Sequence, residues 1–246
     1  MDSRPCRNDK RVVAMKTNWI EFPISKSGQS LYVGSLQISG NDIHIWLANI
    51  NQQSIGVDKL RLLLSANELE RAGGFRFAVD RNRFVVSHGL LRIILSAYTN
   101  LRPEFLNFGH TDYGKPYLSN CEINIAFSMS HSRDYAFYGL ASGGEIGVDI
   151  EFIRNMEDID KIAESYFPKN DRLTIGRLPK EQKQKAFFEC WTQREAFIKA
   201  IGFLPDKVPE CYSGLLLQTL LPVPGYVAAV AVEDIDPQFG YFQVTT

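Results

Sequence analysis

Two short motifs place acidic residues at spacings that are typical of a catalytic or metal-binding site. Gly147–Glu151 has the alternation of a β-strand, so its two carboxylates, at i and i+2, leave the same face. Trp191–Ala200 has the pattern of a helix, in which Glu195 and Lys199 stand at i and i+4, one turn apart on one face. Three carboxylates and a lysine that converge from two elements would suit a hard divalent cation that carries a phosphate.

Magnesium is the cation that these residue types fit. It prefers oxygen ligands in octahedral geometry, and proteins usually offer it one or two carboxylates together with phosphate oxygens of a substrate. Asp149 and Glu151 meet that need from a single strand. Glu195 could supply a third oxygen ligand or act as a general base beside the metal. Lys199 could neutralise charge on a phosphate or on a leaving oxygen.

The same residues also have a purely structural interpretation. The two strand carboxylates could line a solvated strand face, and Glu195 with Lys199 could form an ion pair on a helix surface. The neighbouring residues favour a site instead, because Val148 and Ile150 should point to a core. Apolar side chains also embed the helix, namely Phe187, Phe188, Trp191 and Ile198. Charge that is embedded in apolar surroundings usually needs a partner or a metal.

Side chains that could bind a phosphate lie upstream of both motifs. His131 stands between Ser130 and Ser132 at a strand end, where all three could donate hydrogen bonds to a phosphate, although a structural histidine is the alternative. A basic patch contains Arg71, Arg76, Arg81, Arg83 and Arg92. Most of these fit a solvated helix face, and one or two could clamp a phosphate bidentately. Since the chain lacks both GxxxxGK[ST] and GxGxxG, a metal and basic side chains would have to hold the phosphate.

Composition narrows the class of protein. The 246 residues, 45% hydrophobic and 22% charged, are typical of a soluble globular protein with one large domain or two subdomains. The net charge of -1 gives no support for a nucleic-acid or membrane-binding surface. Four scattered cysteines without a CxxC pair indicate reduced thiols. The polar, basic start lacks the apolar run of a signal peptide, so we expect a cytoplasmic protein.

Hydrophobic periodicity predicts two halves of similar build, each with a strand, then helices, then antiparallel strands. This order indicates an α+β pseudo-duplication. We expect an irregular N-terminal extension over residues 1–40, an N-terminal subdomain over 41–144 and a C-terminal subdomain over 145–246. The main predicted helices are 79–98, 158–166 and 180–201, and Ser65 with Glu68 predicts a capping box on an earlier helix. The main predicted strands are 42–47, 123–130, 135–140, 147–152, 214–220, 226–232 and 239–244.

Four segments together resemble the Sfp-type 4′-phosphopantetheinyl transferases. That family has a G-[IV]-D-[IVL]-E strand followed by a W-[TS]-x-[KR]-E-[AS]-x-x-K-A helix, with S-H-S and G-K-P segments upstream. This chain has Gly147–Glu151, Trp191–Ala200, Ser130–Ser132 and Gly114–Pro116 in the family's order. The likeness runs from about Asp42 to the C-terminus and is close to the cyanobacterial members. Each motif alone has little specificity, whereas four in order at this spacing are specific.

The resemblance implies a fold and a role for particular residues. It implies two similar α/β subdomains with the active site, coenzyme A and Mg²⁺ between them. Asp149, Glu151 and Glu195 would hold the metal, and Glu195 or a metal-bound hydroxide would act as base. Lys199 would contact the pyrophosphate and assist the leaving group. The remaining coenzyme A contacts would come from Arg71, Arg83, Lys115, Pro116, Ser130 and His131. Glu68 departs from the pattern, since it falls near a position that is basic in the best-known member.

The implied activity is transfer of the 4′-phosphopantetheine group of coenzyme A to a serine of an apo acyl carrier protein or peptidyl carrier domain. The reaction would release adenosine 3′,5′-bisphosphate, as in holo-[acyl-carrier-protein] synthases, and could serve fatty-acid, polyketide or nonribosomal peptide synthesis. We expect a monomer without a nucleic-acid or membrane partner. Two alternatives remain: a non-catalytic coenzyme A or carrier-protein binding module, and a different Mg²⁺-dependent phosphoryl or nucleotidyl enzyme.

Overall fold

The computed structural model describes residues 10–12, 18–24, 33–52, 55–202, 214–233 and 236–245. The strands, in chain order, are β1 Lys10–Val12, β2 Ile20–Pro23, β3 Asp42–Asn49, β4 Phe108–His110, β5 Pro116–Leu118, β6 Ile125–Ser132, β7 Tyr135–Ser142, β8 Ile146–Phe152, β9 Leu215–Leu220, β10 Tyr226–Glu233 and β11 Gln238–Thr245. The helices are α1 Val57–Arg61, α2 Ala66–Gly73, α3 Ala78–Tyr98, α4 Ile159–Tyr166, α5 Lys169–Arg177 and α6 Lys180–Ile201.

The order of strands and helices repeats once along the chain. In the first half, β3 pairs antiparallel with β7, and β7 pairs antiparallel with β6. In the second half, β8 pairs antiparallel with β10, and β10 pairs antiparallel with β9. Among the described residues, three α-helices lie between the first strand of each half and the later two, and the first half has the additional strands β4 and β5 there. The predicted α+β pseudo-duplication is therefore confirmed.

The two sheets stack against each other, and each carries helices on its outer face. Side chains of β3 and β7 meet side chains of β8 and β10 in a shared core. Gly139 lies at this interface, where a Cβ atom would stand 2.5 Å from Val148 Cγ1. Helix α3 packs on the outer face of the first sheet, and α6 packs on the outer face of the second. The resulting layers are helix, sheet, sheet and helix.

Segments near the two ends of the chain add strands to the two large sheets. Strand β11 runs parallel to both β3 and β2, so the end of the chain belongs to the sheet of the first half. Strand β1 runs parallel to β9 in the other sheet. The prediction of an irregular segment over residues 1–40 is wrong at β1 and β2, because strands of three and four residues carry too little alternation to be recognised. The subdomain boundary at residue 144 stays a prediction.

The predicted helices and strands, including the short helix α4, agree with the structure to within two residues at each end. Helix α6 has the predicted bounds, α3 begins one residue early, and the capping box of Ser65 and Glu68 is confirmed. Helix α5 was not predicted, because only Asp171 and Ile175 of its residues are buried and no apolar stripe marks it. Across the described ranges, no helix combines the length and the apolar composition that crossing a bilayer would require.

Candidate active site

Helix α6 crosses strand β8 at a separation that only glycine permits. A Cβ atom on Gly147 would stand 2.0 Å from the Ala196 carbonyl oxygen and 2.4 Å from the Ala200 nitrogen. Since strand side chains alternate, Asp149 leaves β8 on the same face as Gly147 and is directed towards the helix. Lys199 Nζ lies 2.7 Å from Asp149 Oδ1. The strand and helix motifs of the sequence therefore meet in space.

Asp149 is the most deeply placed of the predicted site carboxylates. Its side chain is buried, and Oδ1 accepts hydrogen bonds from Ser130 Oγ at 2.7 Å and from Lys199 Nζ at 2.7 Å. Oδ2 is also buried, yet it accepts no hydrogen bond from any residue that the structure describes. Leaving a buried acceptor unsatisfied is unfavourable, and a bound cation would satisfy this oxygen.

Glu151 is held by a serine of the neighbouring strand. Ser132 Oγ donates to Glu151 Oε2 at 2.9 Å and accepts a hydrogen bond from the Phe152 backbone nitrogen at 3.1 Å. Arg154 lies farther from the same carboxylate oxygen, at 3.4 Å. Burial raises the pKa of Glu151, the Ser132 hydrogen bond opposes that rise, and the charge of Asp149 adds to it. A cation at this position would reverse the effect of both burial and Asp149.

Glu195 lies on α6 and forms an ion pair with its neighbour Arg194. Burial raises the pKa of Glu195, and the negative charge of Asp149 raises it further, while Arg194 and Lys199 oppose the rise. The two carboxylates are therefore close enough to repel each other. This electrostatic environment fits a divalent cation, which would offset the repulsion.

The three carboxylates do not form a ready-made metal cage. Among the described residues, no three side chains of His, Cys, Asp or Glu are grouped so that they could hold a metal ion. Instead, Glu151 accepts a hydrogen bond from Ser132, and Glu195 accepts one from Arg194. The unsatisfied oxygen of Asp149 is the feature that fits a cation, and the metal-binding role of the three residues stays a prediction.

Alternate serines of β6 connect the two sheets beside this centre. Strands β6 and β8 are neighbouring sheet edges, and no backbone ladder joins them in the described structure. Instead, Ser128 Oγ accepts a hydrogen bond from the Val148 nitrogen at 3.1 Å, while Ser130 and Ser132 bind the carboxylates of β8. From the sequence, no site role was predicted for Ser128, and Ser132 was a candidate hydrogen-bond donor only to a phosphate, not to a carboxylate. The period-two spacing of three serines was the signal that could have identified them.

A cleft of about 890 Å³ opens beside the Asp149–Lys199 contact. It is lined by most of the residues predicted to contact coenzyme A, namely Arg71, Lys115, Pro116, Ser130, His131 and Lys199. Arg83, which was also predicted to contact coenzyme A, does not line the cleft. It forms ion pairs with Asp80 at 3.6 Å and with Asp134 at 3.8 Å. Among the residues that the structure describes, four basic side chains and one carboxylate line the cleft, so it favours an anionic ligand.

The one lining carboxylate, Glu68, is neutralised by Arg92. Arg92 is buried, and its Nη2 lies 2.6 Å from Glu68 Oε2, while Nη1 donates to the Pro103 and Leu106 carbonyl oxygens. Burial would raise the pKa of Glu68, but the hydrogen bonds from Arg92 and Ser65 lower it below its ordinary value. Arg92 is therefore not part of a solvated basic face. The remaining cations of the cleft are Arg71, Lys115 and Lys199.

Among the described residues, His88, His110 and His131 line the same cleft. Desolvation lowers the pKa of His131, and the charges of Lys199 and Arg83 lower it further. Burial lowers the pKa of His88 to about 4. The Nδ1 atom of His88 lies 3.0 Å from the Phe84 carbonyl oxygen, so the neutral ring donates there and keeps Nε2 as an acceptor. Sequence reasoning did not assign His88 to the site.

Comparisons with known proteins agree on one family. Residues 145–207 match the 4′-phosphopantetheinyl transferase superfamily, and residues 57–142 match the family described as 4′-phosphopantetheinyl transferase, N-terminal. The 4′-phosphopantetheinyl transferase HetI of Nostoc sp. is 33% identical over 226 residues, covering 85% of this chain and 95% of that relative. The 4′-phosphopantetheinyl transferase ffp of Bacillus subtilis is 29% identical over 192 residues, which cover 70% of this chain and 84% of that relative. L-aminoadipate-semialdehyde dehydrogenase-phosphopantetheinyl transferase of Mus musculus is 28% identical over 149 residues, covering 56% and 48%.

Proposed function

Because this chain belongs to the 4′-phosphopantetheinyl transferase family, we propose that it transfers the 4′-phosphopantetheine group of coenzyme A to a carrier protein. The acceptor is a serine of an apo acyl carrier protein or peptidyl carrier domain, and adenosine 3′,5′-bisphosphate is released. One observation carries the proposal. Lys199 lines a basic cleft and contacts Asp149, whose second oxygen has no partner in the described structure. A phosphate site and a cation site would thus be adjacent.

The size and the charge of the cleft support coenzyme A as its ligand. Ligand pockets commonly enclose about 300–1,000 Å³, and this cleft lies within that range. Arg71 and His131 would bind phosphate oxygens from one wall, and Lys199 would bind the pyrophosphate from the other. Pro116 would border the adenine. Because the Ser130 hydroxyl has one proton, which it donates to Asp149, Ser130 would support the carboxylate more readily than it would bind phosphate.

The acidic centre would supply the reacting groups. Asp149, Glu151 and Glu195 would hold Mg²⁺, which when bound would offset negative charge on the pyrophosphate. Lys199 would exchange its contact with Asp149 for a phosphate oxygen and stabilise the leaving group. Glu195 would accept the proton of the attacking serine. Burial and the charge of Asp149 raise the pKa of Glu195 in the protein without a metal, and this favours the base role only when Glu195 does not itself hold the cation.

Intact-mass measurement of carrier proteins tests this function. The purified protein should add one phosphopantetheine group to an apo-carrier when coenzyme A and Mg²⁺ are present. A carrier whose acceptor serine is replaced by alanine should stay unmodified. A panel of fatty-acid, polyketide and nonribosomal peptide carriers identifies the substrate class at the same time. No mass change on any carrier would contradict the proposal.

A non-catalytic coenzyme A or carrier-binding module is the second candidate. The absence of a preformed metal group in the described residues favours it. Calorimetry separates the two functions, because a binding module would take up coenzyme A equally well with and without Mg²⁺. A transferase should bind coenzyme A more tightly when Mg²⁺ is present, since the metal would hold the pyrophosphate as well.

A further inference from the structure

The hairpin of β4 and β5 forms a wall of the cleft but belongs to neither large sheet in the described structure. Its turn is closed by the Thr111 nitrogen, which donates to the Lys115 carbonyl oxygen at 2.9 Å, and by the Gly114 nitrogen, which donates to the Thr111 carbonyl oxygen at 2.8 Å. Tyr113, Lys115 and Pro116 of this turn line the cleft. Phe108 and Leu118 pack the far end of the hairpin on the core of the first half, so contacts of the turn with other elements would set the position of the end that lines the cleft.

Lys115 makes such contacts with the second half of the chain. Its side chain is 14% exposed, its Nζ donates to the Ala200 carbonyl oxygen at 2.7 Å, and the same ammonium forms an ion pair with Glu145. Its aliphatic part packs beside Gly202, where a Cβ atom would lie 3.5 Å from Lys115 Cδ. Two of the three ammonium protons are thus used within the protein.

The contact with Ala200 satisfies a need of helix α6. The helix ends at Ile201, and Gly202 follows in the left-handed conformation with φ of 75°. The last carbonyl groups of a helix lack intrahelical partners and carry partial negative charge, so a cation there is favourable. Ala200 directly follows Lys199, and Glu145 directly precedes β8, the strand of Asp149. One ammonium group therefore connects the hairpin to both elements of the acidic centre.

We propose that Lys115 is a positioning residue, which fixes the β4–β5 hairpin to the end of α6 and the start of β8 rather than binding a phosphate. The inference rests on the proposed function, since the wall that it fixes belongs to the proposed coenzyme A site. Turning the ammonium to a phosphate would leave the Glu145 carboxylate and the Ala200 carbonyl without their partner. Glu145 does not line the cleft, so its replacement tests the connection without removing a cation from the site.

Two variants, Lys115→Met and Glu145→Gln, separate a positioning role from phosphate binding. Hydrogen exchange of the hairpin amides, residues 107–119, is measured without ligand, and coenzyme A affinity is measured by calorimetry. Both variants should speed exchange in the hairpin and weaken coenzyme A binding by about tenfold, the loss expected for one charge-assisted hydrogen bond. The double variant should bind coenzyme A no more weakly than Lys115→Met does, because both changes break the same connection. Lys115→Arg should restore much of the protection.

The opposite result would identify Lys115 as a phosphate ligand. Glu145→Gln would then leave hairpin exchange unchanged and would bind coenzyme A as tightly as the wild type or more tightly. Lys161→Met is the control, since it removes an exposed lysine that pairs with Asp158 on the surface. If the wild type binds no coenzyme A, the proposed function fails. In that case hydrogen exchange of the hairpin alone tests the positioning role of Lys115. Unchanged exchange in both variants would contradict that role.

Discussion

At the scale of single residues, the candidate site depends on carboxylates whose surroundings differ. Asp149 has one oxygen bound by Ser130 and Lys199, and one buried oxygen without a partner among the described residues. Glu151 is held by Ser132, and Glu195 by Arg194. Serine hydroxyls thus orient two carboxylates of β8, which limits the rotation of both side chains before any ligand binds.

Ser132→Ala should therefore disturb both stability and metal binding. The variant removes a hydrogen bond to the Glu151 carboxylate and leaves the Phe152 nitrogen without its acceptor, so we expect a loss of about 1–3 kcal/mol. Urea unfolding measures the loss, and titration with Mg²⁺ should show weaker binding. Ser132→Thr should restore both, and Ser165→Ala, on the exposed face of α4, is the control. Unchanged metal affinity in Ser132→Ala would show that Ser132 does not orient a metal ligand.

His88 should make the stability of the protein depend on pH. Its pKa is about 4 in the folded chain and about 6.5 when unfolded, so between these values the unfolded state binds a proton that the folded state does not. Stability should fall as pH is lowered from about 6.5 to 4, by up to about 3 kcal/mol from this residue. His88→Gln should flatten that slope in urea unfolding, whereas the surface control Lys161→Met should keep it. If the stability of His88→Gln fell with pH as steeply as that of the wild type, His88 would not be the source of this pH dependence.

At the scale of elements, the crossing of α6 over β8 positions the acidic centre. Because backbone atoms of the helix occupy the space that a Cβ would need, Gly147→Ala should push α6 away from β8 and destabilise the protein by about 3 kcal/mol or more. Gly176→Ala in α5 is the matched control, since nothing lies within 4 Å of the added atom, and it should be neutral or stabilising by up to about 1 kcal/mol. Similar unfolding midpoints for the two variants would contradict this packing.

The elements also show what the sequence can and cannot predict. Helices α3 and α6 and strand β8 were predictable, because long periodic patterns mark them. The spacing predicted that Asp149 and Glu151 share a strand face and that Glu195 and Lys199 share a helix face, but not which partners these side chains bind. The Ser132–Glu151 and Lys115–Ala200 contacts join residues distant in sequence, so they depend on how the sheets and the hairpin pack. Strand β4 has too few residues to show a period, and α5, although one residue longer than α4, lacks an apolar stripe.

At the scale of the whole molecule, the two similar halves are connected through the end of the chain. Strand β11 lies between β2 and β3, and Phe242 stacks on Trp46 with ring centroids 4.6 Å apart. Deletion of residues 238–246 should therefore unfold the first half, even though these residues fall in the predicted C-terminal subdomain. Phe242→Ala, a milder change, should cost about 3–5 kcal/mol in urea unfolding. A truncated protein that keeps the wild-type midpoint would show that β11 is dispensable.

The function proposed for the whole molecule rests on Asp149, which links the cation site to the cleft through Lys199. The most direct measurement compares the wild type and Asp149→Asn in transfer of phosphopantetheine to an apo-carrier, followed by intact mass, with Lys161→Met as a surface control. The wild type and the control should convert the carrier at equal rates. The Asp149→Asn variant should remain folded, but its transfer rate should be lower by about 100-fold or more. A neutral amide binds a cation more weakly than a carboxylate does. Transfer by Asp149→Asn at the wild-type rate would contradict the account.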